Sequence, residues 1–274
     1  MDDVVIPERT YHRSISQLKK VSKCGEQFKL EKFSDPRPPK SPAAWLALGI
    51  ALHETFTEWE HLDRRSSKQD LIEEFAMMYD ITISELLEEQ PDLSLWSKPP
   101  NTKSVENSIS NYRTRGIEKD VPWYFDRCIA AGWEVAELNG VKLLEVEFSI
   151  ELGDITAYGF VDRVQWWRAD RRYTIEDTKT GSPDSDDFDP RQLKLYQIAM
   201  MKMFGIDISH GRYWYTKIDR GSKWFDLSQI DELTVIDQYA TLDRMIGERL
   251  FLPNPGKHCG LCPVKNICSI GAVT

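Results

Sequence analysis

Between residues 144 and 179 the apolar period of this chain switches to two, and that switch fixes what the rest can pack around. In Leu144–Glu145–Val146–Glu147–Phe148–Ser149–Ile150 apolar and polar residues alternate, as in a half-buried strand. Residues 155–168 carry a longer strand pattern and residues 173–179 a third. The flanking segments have a helical period instead. Trp45, Leu48, Leu52, Phe56 and Trp59 recur every three or four residues, which predicts a helix over 43–61. A short helix is expected over 14–32 with Cys24 near its middle, followed by a Pro-rich connector over 35–42. Helical patterns at 67–79, 82–90, 103–116 and 122–131 make 61–132 a mostly helical insertion. After the three strands come a helix (191–204), two strands (210–217 and 223–227), a helix (228–250) and a loop-rich tail (253–274). This order predicts an α/β fold: a mixed central sheet flanked by helices, in one domain spanning 1–274.

The chemistry-bearing residues fall on the second and third strands. Side chains alternate faces along a strand, so Tyr173, Ile175, Asp177 and Lys179 share one face while Glu176 and Thr178 take the other. Asp177, not Glu176, therefore stands beside Lys179. Asp162 shares its face with Tyr158, Phe160 and Val164, and a hairpin of the two strands brings Asp162 to Asp177. Two close carboxylates repel unless a cation lies between them, and hard oxygen ligands suit Mg2+ or Mn2+. Such a cation activates water and stabilises charge on an attacked phosphodiester, and a neighbouring lysine orients that water or offsets the charge. A lone Asp-x-Lys on a strand is more often a surface ion pair, but further residues accompany this one. Gln192 and Tyr196 are four apart on a predicted helix, so an amide and a phenol stand together, able to contact a phosphate or base. Gly49 and His53 are four apart on the early helix, where a glycine costs about 1 kcal/mol against alanine and needs a reason such as close backbone packing. Lys179–Thr180–Gly181 ends the third strand in a tight turn, which puts the lysine at the sheet's rim.

Five cysteines occur, and Cys259, Cys262 and Cys268 cluster in the tail among prolines and glycines. An odd number without an export signal is poor material for a disulfide framework. Three thiolates this close point to a metal centre, zinc or iron–sulfur, that needs a fourth ligand. Cys24 and Cys128 are the candidates, and His258 beside the cluster makes a Cys3His zinc site a rival.

Gly-x-x-x-His (49–53), Gly-Phe-Val-Asp-Arg (159–163), Asp-Thr-Lys-Thr-Gly (177–181) and Gln-x-x-x-Tyr (192–196) occur in this order. The set resembles the RecB-like branch of the PD-(D/E)XK nuclease superfamily over residues 14–269, nearly the whole chain. The resemblance implies a restriction-endonuclease-like fold. It implies that His53, Asp162, Asp177 and the Thr178 backbone carbonyl bind the metal, that Lys179 is the catalytic lysine, and that Gln192 and Tyr196 complete the active site. Related nucleases often carry an acid on the strand before Asp162. Glu147 lies there, but it shares a face with Glu145 opposite Val146 and Phe148, so it reads as solvated and stands outside the set. The C-x2-C-x5-C form is similar to that of AddB-type subunits and CRISPR-adaptation exonucleases. This implies a [4Fe-4S] cluster held by Cys24, Cys259, Cys262 and Cys268, stapling the tail to the region of Cys24, with structural zinc as the alternative. Cys128 then reads as a buried free thiol.

The implied activity is that of a DNA exonuclease on single-stranded ends in recombination, repair or phage DNA metabolism. A structure-selective endonuclease and a DNA-binding or assembly subunit with a vestigial site are the alternatives. The net charge of −9 argues mildly against nucleic acid but says little about a local groove. In 61–132, Arg64, Arg65, Lys68, Lys98, Lys103, Arg113 and Arg115 are interspersed with Trp96, Tyr112, Trp123 and Tyr124, a composition that suits a single strand or an ordinary helical subdomain. No Gly-x4-Gly-Lys-Ser/Thr motif occurs, so unwinding would require a helicase or recombination partner. No run approaches the ~20 apolar residues of a membrane span, and Met1 to Pro7 lack a signal peptide's basic start, so a cytoplasmic protein is expected.

Overall fold

The three predicted strands are present in the computed structural model, which describes residues 12–39, 41–181, 183 and 189–270. Met1 to Pro7 and the last four residues of the tail lie outside the described residues. In chain order the elements are β1 (His12–Ser14), α1 (Ile15–Lys23), α2 (Gly25–Phe33), α3 (Ala44–His61), α4 (Lys68–Glu89), α5 (Val105–Arg115), α6 (Val121–Ala130), β2 (Trp133–Val135), β3 (Glu137–Leu138), β4 (Val141–Lys142) and β5 (Leu144–Leu152). Then follow β6 (Ile155–Trp167), β7 (Arg172–Lys179), α7 (Arg191–Phe204), β8 (Ile208–Tyr215), β9 (Arg220–Gly221), β10 (Phe225–Asp226) and α8 (Glu232–Gly247). No described helix is long and apolar enough to cross a membrane.

The chain divides into two compact units, one formed by Met1–Ser41, Glu147–Gly159 and Asp231–Thr274, the other by Pro42–Val146 and Phe160–Ile230. The larger unit holds a mixed sheet. β6 is antiparallel to β2 and β7, β7 is parallel to β8, and β8 is antiparallel to β9 and β10. Helices flank this sheet. Arg127 of α6 reaches Glu176 on one face of β7, and Gln192 of α7 reaches Asp177 on the other. The helices α3 to α6 enclose a core that includes Leu48, Leu52, Phe56, Trp59, Phe75 and Tyr124, with Phe56 and Tyr124 stacked at 3.6 Å between centroids.

The predicted break at 80–81 is absent, and α4 is a single helix. Leu71, Phe75, Tyr79 and Ile83 form one unbroken buried stripe, and Thr82 donates its hydroxyl to the Met78 carbonyl at 2.8 Å. Its start is capped reciprocally by Ser67 and Asp70. A π-helical turn over Gly116–Asp120 joins α5 to α6.

In the smaller unit β1 runs parallel to the first part of β6, and Val21, Phe28, Leu242 and Ile246 form the core. The single helix expected over 14–32 is instead two, broken at Cys24, whose backbone is extended. The cause is the neighbouring chain. Gly25 donates to the Leu252 carbonyl at 2.9 Å, and a Cβ at Gly25 would lie 2.8 Å from the Leu252 nitrogen. Only glycine permits that approach. The break takes Cys24 out of helical register, and the Asn254 N–H points at its sulfur at 3.5 Å.

Candidate active site

The β6–β7 ladder pairs Arg163 with Glu176 through to Trp167 with Arg172. Asp162 and Asp177 would be the next pair. There the Asp162 carboxylate substitutes for the ladder and accepts the Thr178 N–H at 2.8 Å. Helix α3 brings His53 to this point. Its Nε2 lies 3.4 Å from the Thr178 carbonyl oxygen and 3.8 Å from Asp162 Oδ2, and its Nδ1 lies 3.1 Å from Glu145 Oε1. His53, Glu145 and Asp162 each offer a ligand atom, and these atoms lie within 4.8 Å of one another, a spacing that fits one cation. An imidazole nitrogen with carboxylate and carbonyl oxygens suits a divalent metal of the first row or magnesium.

Asp177 lies behind this group, buried, and forms an ion pair with Lys179. Gln192 donates from Nε2 to Asp177 Oδ1 at 3.1 Å, and the Tyr196 hydroxyl lies 3.5 Å from the same oxygen. Gln192 and Tyr196 are themselves 2.6 Å apart, as their spacing predicts. Both are buried, so the pair holds a carboxylate rather than standing open to a phosphate or base. Gly49 has ordinary room: a Cβ there would meet the Thr180 side chain at 3.6 Å, so close backbone packing is not its reason.

The electrostatics follow from this crowding of acids. Burial alone would lower the His53 pKa, but Asp162, Glu145 and Asp177 outweigh it and raise it to about 9. Burial, Asp177 and Asp162 push the Tyr196 phenol well above its ordinary value, so it stays neutral.

Glu145 is the site residue that alternation missed. Alternation puts it with Glu147 on a solvated face, and Glu147 is indeed exposed. Glu145, however, has φ +45°, a left-handed conformation that breaks the alternation and lets its carboxylate reach His53. Strained non-glycine backbone of this kind concentrates at functional sites. The available signal is the acid that related nucleases often carry on the strand before Asp162, a strand that holds both Glu145 and Glu147.

A family model described as the PD-(D/E)XK nuclease superfamily matches residues 12–269. The chain belongs to the PD-(D/E)XK nuclease superfamily. Membership implies metal-dependent cleavage of nucleic acid, and the His53–Glu145–Asp162 group is a place for that metal. Two relatives are each called Gene 69 protein. That of Mycobacterium phage D29 is 28% identical over 271 residues, covering 94% of this chain and 96% of the relative. That of Mycobacterium phage L5 is 26% identical over 286 residues, with the same coverage. The crystal structure of SSO0001 aligns over 97% of this chain and 89% of its own at 12% identity, with a TM-score of 0.38.

In this nuclease the aromatic groups named in the helical stretch 61–132 are buried or half-buried. Trp96 and Tyr124 are buried in the core, and Tyr112 and Trp123 are half-buried. Arg64 pairs with Glu60 at 2.7 Å, Lys68 with Asp126 at 2.6 Å, and Arg113 with Asp80 at 2.8 Å. Arg115 pairs with Asp120 at 2.9 Å and donates to the Thr180 carbonyl at 2.8 Å, so it anchors the turn after Lys179.

Cys24, Cys259, Cys262 and Cys268 line one small pocket with Gln27, His258, Val264 and Lys265. Burial raises the Cys262 thiol pKa, and nearby Cys24 and Cys259 add to the rise. Cys128 is buried elsewhere, donating to Glu60 at 3.7 Å, and its thiol is pushed up to about 11, chiefly by burial.

Proposed function

We propose that this chain is a RecB-like DNA exonuclease that uses Mg2+ or Mn2+ on single-stranded ends, with a [4Fe-4S] cluster stapling its tail. The observation that carries the reading is the meeting of His53 Nε2, Asp162 Oδ2 and the Thr178 carbonyl at the point where β6 and β7 part. A divalent cation held there supplies an activated water and neutralises charge on the phosphodiester. His53, Asp162, Asp177 and the Thr178 carbonyl would hold it, with Glu145 as a further oxygen donor. Gln192 and Tyr196 fix the Asp177 carboxylate, and Asp177 in turn pairs with the Lys179 ammonium, which would offset charge on the reacting phosphate.

The test uses anaerobically purified protein, Mn2+ and single-stranded DNA labelled at either end. The wild type should degrade it from an end and leave covalently closed circles intact. Lys179→Ala should lose about 100-fold or more, the scale of one oriented charge-stabilising donor. Cutting of circles would make the enzyme an endonuclease. No degradation by intact protein would leave only a DNA-binding or assembly role.

The cysteine pocket supports the cluster. Cys24, far from the tail in sequence, lines one small pocket with Cys259, Cys262 and Cys268. Purified protein should be brown, with broad visible absorbance that Cys24→Ala abolishes. Colourless protein carrying one zinc per chain would replace the cluster with the zinc alternative.

A further inference from the structure

We propose that Arg115 is a positioning residue for strand cleavage: from the helical insertion, its guanidinium locks the Lys179 end of β7 to the end of β8. The inference rests on the nuclease reading above and adds what holds the lysine in place. Lys179 is the last residue of β7 and pairs with Tyr215, the last of β8. Beyond that pair the ladder stops, and Arg115 bonds to the next residue of each strand. Its Nη2 donates to the Thr180 carbonyl at 2.8 Å and to the Thr216 hydroxyl at 3.3 Å. One guanidinium thus does for residues 180 and 216 what a further backbone pair would do.

Arg115 is itself held from behind. Its Nε lies 2.9 Å from Asp120 Oδ2, and its Nη2 lies 3.2 Å from Asp120 Oδ1. Asp120 and Thr216 are buried and the Arg115 side chain is only 16% exposed, so water competes little for these contacts. Arg115 and Asp120 are five residues apart, about 140° around an α-helix, and would not face one another there. The π-helical turn over Gly116–Asp120 brings them together. Such turns are rare and recur at functional sites. This one is built into the packing, since a Cβ at Gly116 would lie 2.1 Å from the Phe75 ring. An arginine placed to take a phosphate needs neither a buried carboxylate behind it nor a backbone carbonyl in front. Lysine, by contrast, has a long flexible stem, so where the Lys179 ammonium stands depends on how firmly its backbone is held. A displacement of about 1 Å in a reacting site can cost on the order of 100-fold in rate.

The test compares wild type, Arg115→Ala and Arg115→Lys. Single-turnover cleavage of a labelled single strand in Mn2+ is followed over a range of enzyme concentrations, and backbone amide exchange of the metal-free proteins is read by mass spectrometry. Arg115→Lys keeps a cation beside the buried Asp120, so it reports on the brace even where Arg115→Ala does not fold. Its single ammonium does not replace the planar fork. Both variants should cut roughly 10- to 100-fold more slowly at saturating enzyme, with half-saturation unmoved. Exchange over 178–181 should quicken while α3 and α4 keep wild-type protection. Weakened half-saturation with an unchanged rate at saturation would make Arg115 a phosphate contact instead. Wild-type cutting by Arg115→Lys, unchanged exchange over 178–181, or loosening that spreads through α3 and α4 would each overturn the brace. Failure of the wild type itself to cut would sink the nuclease reading, and the exchange over 178–181 would still decide whether Arg115 holds the end of β7.

Discussion

Asp162→Asn is expected to slow cleavage by on the order of 10^3-fold while leaving the fold intact. The metal's charge stabilisation is worth several kcal/mol, and each 1.36 kcal/mol is a decade in rate. The fold survives because the amide oxygen of asparagine can still accept the Thr178 N–H, now at 2.8 Å from Asp162 Oδ2. What asparagine removes is the charge opposite His53. Asp162 is the largest influence raising the His53 pKa, so in metal-free Asp162→Asn that pKa should drop below the wild type's value of about 9. Two measurements check this: Mn2+-dependent cleavage, and the titration of the His53 ring protons by NMR. Wild-type cleavage by the variant would remove Asp162 from the metal site. An unmoved His53 titration would mean that the imidazole does not face Asp162 in solution.

The facing of Asp162, Asp177 and Lys179 was legible because strand alternation is a rigid rule, and it also separated Asp177 from Glu176 correctly. The helix spacings that joined Gln192 to Tyr196 were equally rigid. Legibility ended where the backbone left its period. Glu145 was hidden by a positive φ that alternation cannot foresee. The break at Cys24 was hidden because its cause, the approach of Leu252 to Gly25, lies far along the chain. The direction of the Gln192–Tyr196 pair was hidden too. Spacing says that two side chains meet, not what they meet, and here they close on Asp177. The rings of 61–132 illustrate the same limit, since composition alone does not separate a core from a binding face.

Glu176→Gln should destabilise the larger unit by about 3–5 kcal/mol, the cost of breaking a buried ion pair, and lower its melting temperature by roughly 10 °C. Glu176 is fully buried and lies between three guanidinium groups: Arg127 at 2.8 Å, Arg212 at 2.8 Å and Arg163 at 3.2 Å. Burial would raise its pKa, but the three arginines outweigh burial and lower it to about 2. In the unfolded chain the same group titrates near 4.5. Its stabilisation is therefore complete above pH 4.5, declines as pH falls from 4.5 towards 2, and is gone below that. Melting curves of the two proteins should stand apart at pH 7 and converge in acid. A gap that stays constant with pH would show that the side chain's shape matters and its charge does not. The cluster also bears on the site. Glu176 and Asp177 are adjacent on opposite faces of β7, and Arg163 and Asp162 are adjacent on β6. The charges behind the sheet thus pin both strands at the residues from which the two carboxylates project. Glu176→Gln should consequently loosen Asp162 against Asp177 and slow cleavage at pH 7.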